Sequence, residues 1–223
     1  VECYDGLEDI INSFKKFGDK SDLVIACGDD KNVRSIDFSK KRVIYYGIED
    51  NNDVVAKNVN LTKEGSSFDC YIDGELFEHF DLPLYGKHMI QNCLAAITVS
   101  KELGVEKSDI KKYVSNFVSP KRRFKEEIFG DVVLVDDYAH HPTEIKVTLE
   151  SARQKYPDKE LVAVFLPNTY SRTEALLDDF IKELSVTDKT YVMDILCNRE
   201  RQEDYPGVTS DLIIDGIKGA EKV

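Results

Sequence analysis

Residues Val132–Glu144, VVLVDDYAHHPTE, decide how this 223-residue chain reads. Val132 to Val135 form an apolar run that suits a buried strand. Asp136 and Asp137 close it, and Tyr138, Ala139, His140 and His141 make a polar loop. Pro142 then stands where a helix begins, since an N–H at the first helical position has no intrahelical partner anyway. Thr143 and Glu144 lead into an amphipathic segment with Ile145, Leu149 and Ala152 on one side. Strand, polar loop and helix in that order place ligand sites at the carboxyl ends of strands in open α/β sheets.

Working outward, the pattern repeats towards the C-terminus. A helix over 143–156 leads to a strand over 161–166, the loop PNTYSR (Pro167–Arg172), a helix over 173–184 and a strand over 190–194. A charged loop, 197–207, precedes a last helix capped by Thr209 or Ser210, with no strand expected after it. Such alternation implies a parallel sheet with covering helices. Just upstream, Phe124–Phe129 and Val132–Val135 flank Gly130-Asp131 as a hairpin, and Ser119–Arg123 (SPKRR) reads as an interdomain linker.

The first half is α/β as well. Leu7, Ile10, Ile11, Phe14 and Phe17 recur at helical spacing, with Gly18 just past the end. Strands are expected at Leu23–Cys27 and Val43–Tyr46. Between Asp53 and Leu82 short strands, two of them joined by an Asp73-Gly74 turn, suggest an antiparallel excursion on the sheet edge. In the stretch 84–103, Tyr85-Gly86-Lys87 leads into a helix with Met89, Ile90, Cys93, Leu94, Ala96, Ile97 and Leu103 on its apolar face, and Gly104 follows it. Ser108 is expected to cap a short helix with Ile110, Val114 and Phe117 inward. The chain thus reads as α/β in two domains, 1–119 and 120–223.

Composition excludes some classes. Thirty Lys and Arg against 42 Asp and Glu give a net charge of −12, which argues against nucleic-acid binding. No apolar run approaches the ~18 residues that a membrane span needs. The five cysteines are scattered with no C-x-x-C pair, as expected of buried free thiols in a reducing cytoplasm.

Candidate chemistry lies at four places. Asp136, Asp137, His140 and His141 can bind a metal, hold a ribose or move protons, or can simply form a solvated loop. His88 and Asn92 share a helix face, where they are either ordinary exposed residues or partners for a planar heterocycle such as adenine. Arg122 and Arg123 at the linker either solubilise it or close onto a phosphate. Arg172, after the second loop of the C-terminal half, either binds a carboxylate or is an ordinary residue of a helix's first turn.

In sequence order these residues resemble one family. Gly86-x-His88-x-x-x-Asn92, Lys121-Arg122-Arg123-Phe124, Asp136-Asp137-Tyr138-x-His140-His141-Pro142-Thr143-Glu144 and Pro167-x-Thr169-Tyr170-Ser171-Arg172-Thr173 are together similar to the Mur ligases. The similarity is strongest to members that join L-alanine to UDP-N-acetylmuramate, and it runs along the whole chain. It implies the end of a central ATPase domain followed by a Rossmann-like C-terminal domain. It also implies ATP and Mg2+ as cofactors, small-molecule substrates, and a cytoplasmic place in peptidoglycan precursor synthesis, without nucleic acid or membrane insertion. No G-x-x-G-K-[ST] loop is present, so the resemblance implies a piece of the enzyme, inactive alone, with most Mg2+ ligands elsewhere; Val1 in place of Met accords with that.

By the same resemblance, His88 and Asn92 contact adenine. Arg123 reaches the γ-phosphate with Arg122 beside it, and Asp137 holds the ribose and orders the catalytic centre. Tyr138, His140 and Arg172 surround the amino acid, with Arg172 on its carboxylate. Asn168 stands where many relatives have His, so only a polar contact is expected of it. Three other readings stand beside this one: a murein tripeptide ligase, a metal-dependent phosphoesterase built on Asp136, Asp137, His140 and His141, and a non-catalytic nucleotide- or precursor-binding module.

Overall fold

The computed structural model describes residues 4–38 and 40–223. Two units meet in sequence between Val118 and Ser119. The N-terminal unit comprises α1 (Leu7–Gly18), β1 (Leu23–Cys27), α2 (Lys31–Arg34), β2 (Arg42–Gly47), β3 (Val54–Thr62), β4 (Gly65–Ile72), β5 (Glu75–Leu82), α3 (Lys87–Glu102) and α4 (Lys107–Ser115). Its sheet runs β1-β2-β3-β4-β5, parallel from β1 to β3 and antiparallel from β3 to β5. The antiparallel expectation holds, but these strands are eight or nine residues long and continue the parallel sheet through Tyr46–Val54 and Gly47–Val55.

One core organises this unit. Val54, Ala56, Phe68, Cys70, Phe80 and Leu82 meet Ile90, Cys93, Leu94 and Ile97 of α3 and Ile110 of α4. The α3 positions recur at helical spacing, so one stripe faces the sheet. Ala96 and Leu103, expected on that stripe, are exposed instead. Gly104, at φ 76°, ends the helix: its N–H reaches Lys101 O and that of Val105 reaches Ser100 O, the paired bonds of a Schellman stop. Asp73 and Gly74, both at positive φ, make the expected hairpin turn.

Three local expectations change here. Gly18 is the buried last residue of α1 rather than its stop, since a side chain there would meet the Phe38 ring. Ser108 lies inside α4, whose cap position is Glu106, and Phe117 lies beyond the helix, exposed. Leu7, Phe14 and Phe17 of α1 are likewise exposed.

The C-terminal unit holds β6 (Lys125–Phe129), β7 (Val132–Asp136), α5 (Pro142–Lys155), β8 (Val162–Phe165), α6 (Tyr170–Ala175), α7 (Leu177–Leu184), β9 (Lys189–Val192), α8 (Asp211–Gly216) and β10 (Glu221–Lys222). Strands β10, β9 and β8 form a parallel sheet in that order. Phe165 and Val192 pack with Ile145 of α5, Phe180 and Leu184 of α7, and Ile213 of α8. Val162 and Val164, on the opposite pleat, are exposed.

The strand that opened the sequence reading is not buried. Among the described residues β7 pairs only with β6, in a separate two-stranded ribbon, and Val132 and Leu134 are exposed. A two-stranded ribbon offers one face to its unit and leaves the alternate residues outward. Polar contacts tie it to the end of α5: Lys155 Nζ lies 2.6 Å from Glu126 Oε2, and Tyr156 Oη donates to Glu126 Oε1 at 2.6 Å. The helix expected over 173–184 breaks at Leu176 into α6 and α7. A two-residue β10 follows α8 where no strand was expected, pairing with β9.

Cys70 and Cys93 are buried as expected, but Cys27 is half-buried and Cys197 exposed; Cys3 lies outside the described residues. Burial pushes the Cys70 and Cys93 thiols up to about 12. Among the described residues no helix is long and apolar enough to cross a membrane.

Candidate functional site

In the C-terminal unit the loop after β7 is built by hydrogen bonds that one carboxylate accepts. Asp137 Oδ2 accepts from the Phe124 N–H at 2.7 Å, and Oδ1 from the Ala139 N–H at 2.8 Å. Phe124 and Arg122 both sit at positive φ (51° and 57°), an unfavourable conformation for such side chains. Asp137 therefore holds a strained turn in place, and Tyr138 N–H completes it by donating to Arg122 O at 3.0 Å. Arg122 lies over the Tyr138 ring at 4.7 Å from its centroid and 3.9 Å from Asp136.

The next residues start α5. His141 is its cap, accepting from Thr143 N–H, and Glu144 returns the bond to the backbone of His140 and His141 at 3.0 and 3.2 Å. This capping box has Pro142 at the first helical position, as the sequence indicates. Burial alone would raise the Glu144 carboxyl. The His140 N–H and the charges of His140 and Arg123 outweigh burial and hold it low, with Arg123 Nη1 3.8 Å away. His141 titrates below the usual histidine range, first through burial and then through the charge of Arg172.

His140 Nδ1 lies 2.8 Å from Tyr138 O, and its ring meets the Tyr138 ring edge-on at 4.8 Å. A carbonyl only accepts, so Nδ1 carries a proton, which leaves Nε2 as the acceptor when the ring is neutral and as a second donor when it is charged. His140 then lines a pocket of about 520 Å³ together with Asn168, Thr169, Arg172, Asn198, Arg199 and Glu200. Three expected residues, His140, Asn168 and Arg172, are thus brought together. Tyr138 enters through its contact with His140. Arg123 and Asp137 lie in the adjoining turn, Arg123 exposed and Asp137 half-buried.

Asn198, Arg199 and Glu200 were missed by the sequence reading, which took 197–207 only as a charged loop. Backbone bonds from Thr169 N–H to Leu196 O and from Leu196 N–H to Pro167 O set that loop against the segment after β8. The Asn198 side chain donates to Asn168 Oδ1.

His88 and Asn92 belong to the other unit, one turn apart at the start of α3, whose preceding Gly86 has φ 86°. His88 is half-buried and Asn92 exposed, its Nδ2 3.8 Å from Met89 Sδ. An exposed amide beside an imidazole fits the edge of a planar heterocycle. At the ends of β1 and β2 in the same unit, Asp29 accepts from Ile48 and Glu49 N–H and from Gln91 and Asn52 side chains. Burial opposes ionisation there, but these donors hold its carboxyl below the ordinary value. Among the described residues no group of three or more His, Cys, Asp or Glu is arranged to hold a metal. Asp136, Asp137, His140 and His141 therefore form no such group, and no Mg2+ ligand is assigned.

Comparison with known proteins fits this arrangement. The Mur ligase middle domain matches residues 1–100, and the Mur ligase glutamate ligase domain matches 122–223. The chain belongs to the Mur ligase family. It is 39% identical over all 223 residues to a UDP-N-acetylmuramate–L-alanine ligase of Lactococcus lactis subsp. cremoris (strain MG1363). It spans half the length of that curated relative. Among solved structures it resembles the UDP-N-acetylmuramate–alanine ligase MurC of Thermotoga maritima (TM-score 0.74, 20% identity, 98% of this chain and 47% of that one). It also resembles MurF of Acinetobacter baumannii (TM-score 0.76, 17% identity, 98% and 47%) and MurF of Thermotoga maritima in complex with ADP (TM-score 0.63, 18% identity, 90% and 44%).

Proposed function

We propose that this chain is the nucleotide-contacting and amino-acid-binding part of a cytoplasmic ligase that joins L-alanine to UDP-N-acetylmuramate at the expense of ATP. Its domains divide at 119/120 in this reading, the first carrying nucleotide contacts and the second the amino-acid site. The observation that carries the reading is the pocket shared by His140, Asn168 and Arg172. Identity of 39% to a relative named for this reaction supports the choice of substrates. The unpaired cysteines Cys27, Cys70, Cys93 and Cys197 accord with a reducing compartment.

The residues divide the work by their chemistry. The Arg172 guanidinium offers two parallel donors to the carboxylate of the amino acid. With Nδ1 bound to the Tyr138 carbonyl, the neutral His140 ring presents Nε2 as the acceptor that receives a proton from the amine in this reading. Asn168 adds a neutral polar contact. ATP supplies the phosphoryl group that activates the acceptor carboxylate, and His88 and Asn92 fit its adenine edge. Arg123, with Arg122 beside it, provides positive charge for the phosphoryl group in flight. Asp137 orders the turn that carries both arginines and reaches the ribose in this reading.

The test is product release by the full-length ligase that contains this chain, with ATP, UDP-N-acetylmuramate and L-alanine omitted in turn. ADP release that needs all three is expected; ADP release independent of the amino acid overturns the assignment. In the same enzyme Arg123→Ala is expected to lower kcat by about 10²-fold, with the KM for alanine little changed. Unchanged turnover would remove Arg123 from this role.

A further inference from the structure

We propose that Glu200 is a positioning residue for Arg172, acting through the first turn of α6; the proposal rests on the amino-acid-binding reading of the pocket. Helix α6 is six residues long, too short to sustain itself. Its cap residue, Thr169, sits at φ 75° and ψ 141°, a region that a β-branched side chain strongly disfavours. Such a conformation persists only where its surroundings over-determine it.

Glu200 does much of that from thirty residues further along the chain. Its Oε2 accepts from the Tyr170 N–H at 2.5 Å and the Ser171 N–H at 3.1 Å, and its Oε1 accepts from Ser171 Oγ. These N–H groups open the helix and have no acceptor within it. A carboxylate at this end is also favoured by the helix dipole, and charge-assisted bonds are the stronger kind. The bridge between Asn168 and Leu196 and the Asn198–Asn168 bond fix the same segment from the other side. Arg172 is the next residue after the clamped pair, so the direction from which its guanidinium enters the pocket is set by that clamp.

A competing role is that Glu200 binds the ammonium of the amino acid directly. Substitution separates the two. In Glu200→Gln the amide oxygen can still accept from both backbone N–H groups, whereas the negative charge is gone; in Glu200→Ala the clamp is gone. The experiment uses the full-length ligase, with L-alanine, L-serine and glycine each tried as substrate. Amide hydrogen exchange at Tyr170–Thr173 is read in parallel on the same proteins.

For Glu200→Ala we expect the KM for the amino acid to rise at least about tenfold, with kcat and the KM for ATP within about threefold of wild type. Exchange of the Tyr170 and Ser171 amides should rise with it, while protection in β3–β5 stays unchanged. Glu200→Gln should keep the KM within about threefold. Equal losses in Gln and Ala variants would overturn positioning in favour of direct ammonium binding. Raised exchange with an unaltered KM would leave only a structural clamp, and unaltered exchange would remove the clamp itself; each overturns the proposal. A wild-type enzyme that turns over none of the amino acids overturns the pocket reading and this inference together, which distinguishes that failure from the others.

Discussion

Asp137 stands at the centre of the residue-scale account because both its oxygens are committed to backbone N–H groups. Hydrogen bonds to a charged group contribute about 1.5–3 kcal/mol each. Asp137 is only half-buried, so the two contributions do not sum in full, and Asp137→Ala is expected to lower stability by about 2–4 kcal/mol, read as the denaturation midpoint of the C-terminal unit. A loss under about 0.5 kcal/mol, the range of neutral surface changes, would contradict the anchoring role. His141 gives a pH signature. Its folded pKa is depressed by burial and by Arg172, so the unfolded chain takes up a proton that the folded one refuses. Its contribution is full above about pH 6.5 and is lost as pH falls through the folded value. His79, raised by its bond to Asp69, works the other way: its contribution is full below that pH and is lost as pH rises through the folded value. A ligand carboxylate on Arg172 would offset the cation facing His141. Saturating L-alanine is then expected to move the His141 NMR titration midpoint upward; no movement would speak against that pairing. At this scale the sequence was informative where motif order carried the residue, as with His140, Asn168 and Arg172. Glu200 was unreadable because its partners, Tyr170 and Ser171, lie thirty residues away and only the fold brings them together.

Elements were legible where periodicity and turn chemistry agreed. The β4–β5 hairpin is one such case: Asp73 and Gly74, at φ 51° and 84°, match the turn that an Asp-Gly pair predicts. A side chain at Gly74 would meet nothing within 4 Å, so only the backbone conformation opposes it. Gly74→Ala should cost about 1 kcal/mol, measured by chemical denaturation, and a null effect would contradict the assigned turn. The β7 run was misread because apolar content cannot tell a buried central strand from a ribbon strand whose alternate residues face outward. The break at Leu176 was equally hidden, since Ala175, Leu176 and Leu177 continue a helical composition across it. Strand β10 was missed because two residues carry no periodicity.

On the scale of the molecule, the two-unit division follows from two separate cores, one around Phe68, Phe80 and Leu94 and one around Phe165, Phe180 and Val192. The thiols report on this directly. Cys70 and Cys93, buried in the first core with thiols raised to about 12, should resist a thiol reagent in the native protein, while Cys197 labels rapidly. Native labelling of Cys70 would contradict that core. Both units match domains of one family, and the pocket in the second unit is where amino-acid specificity is proposed to reside. The most direct test of that claim is the KM for L-alanine of the full-length ligase with Arg172→Ala against wild type. A rise of at least about tenfold, with the KM for ATP unchanged, is the predicted result; an unaltered KM for alanine would mean that this pocket does not hold the amino acid.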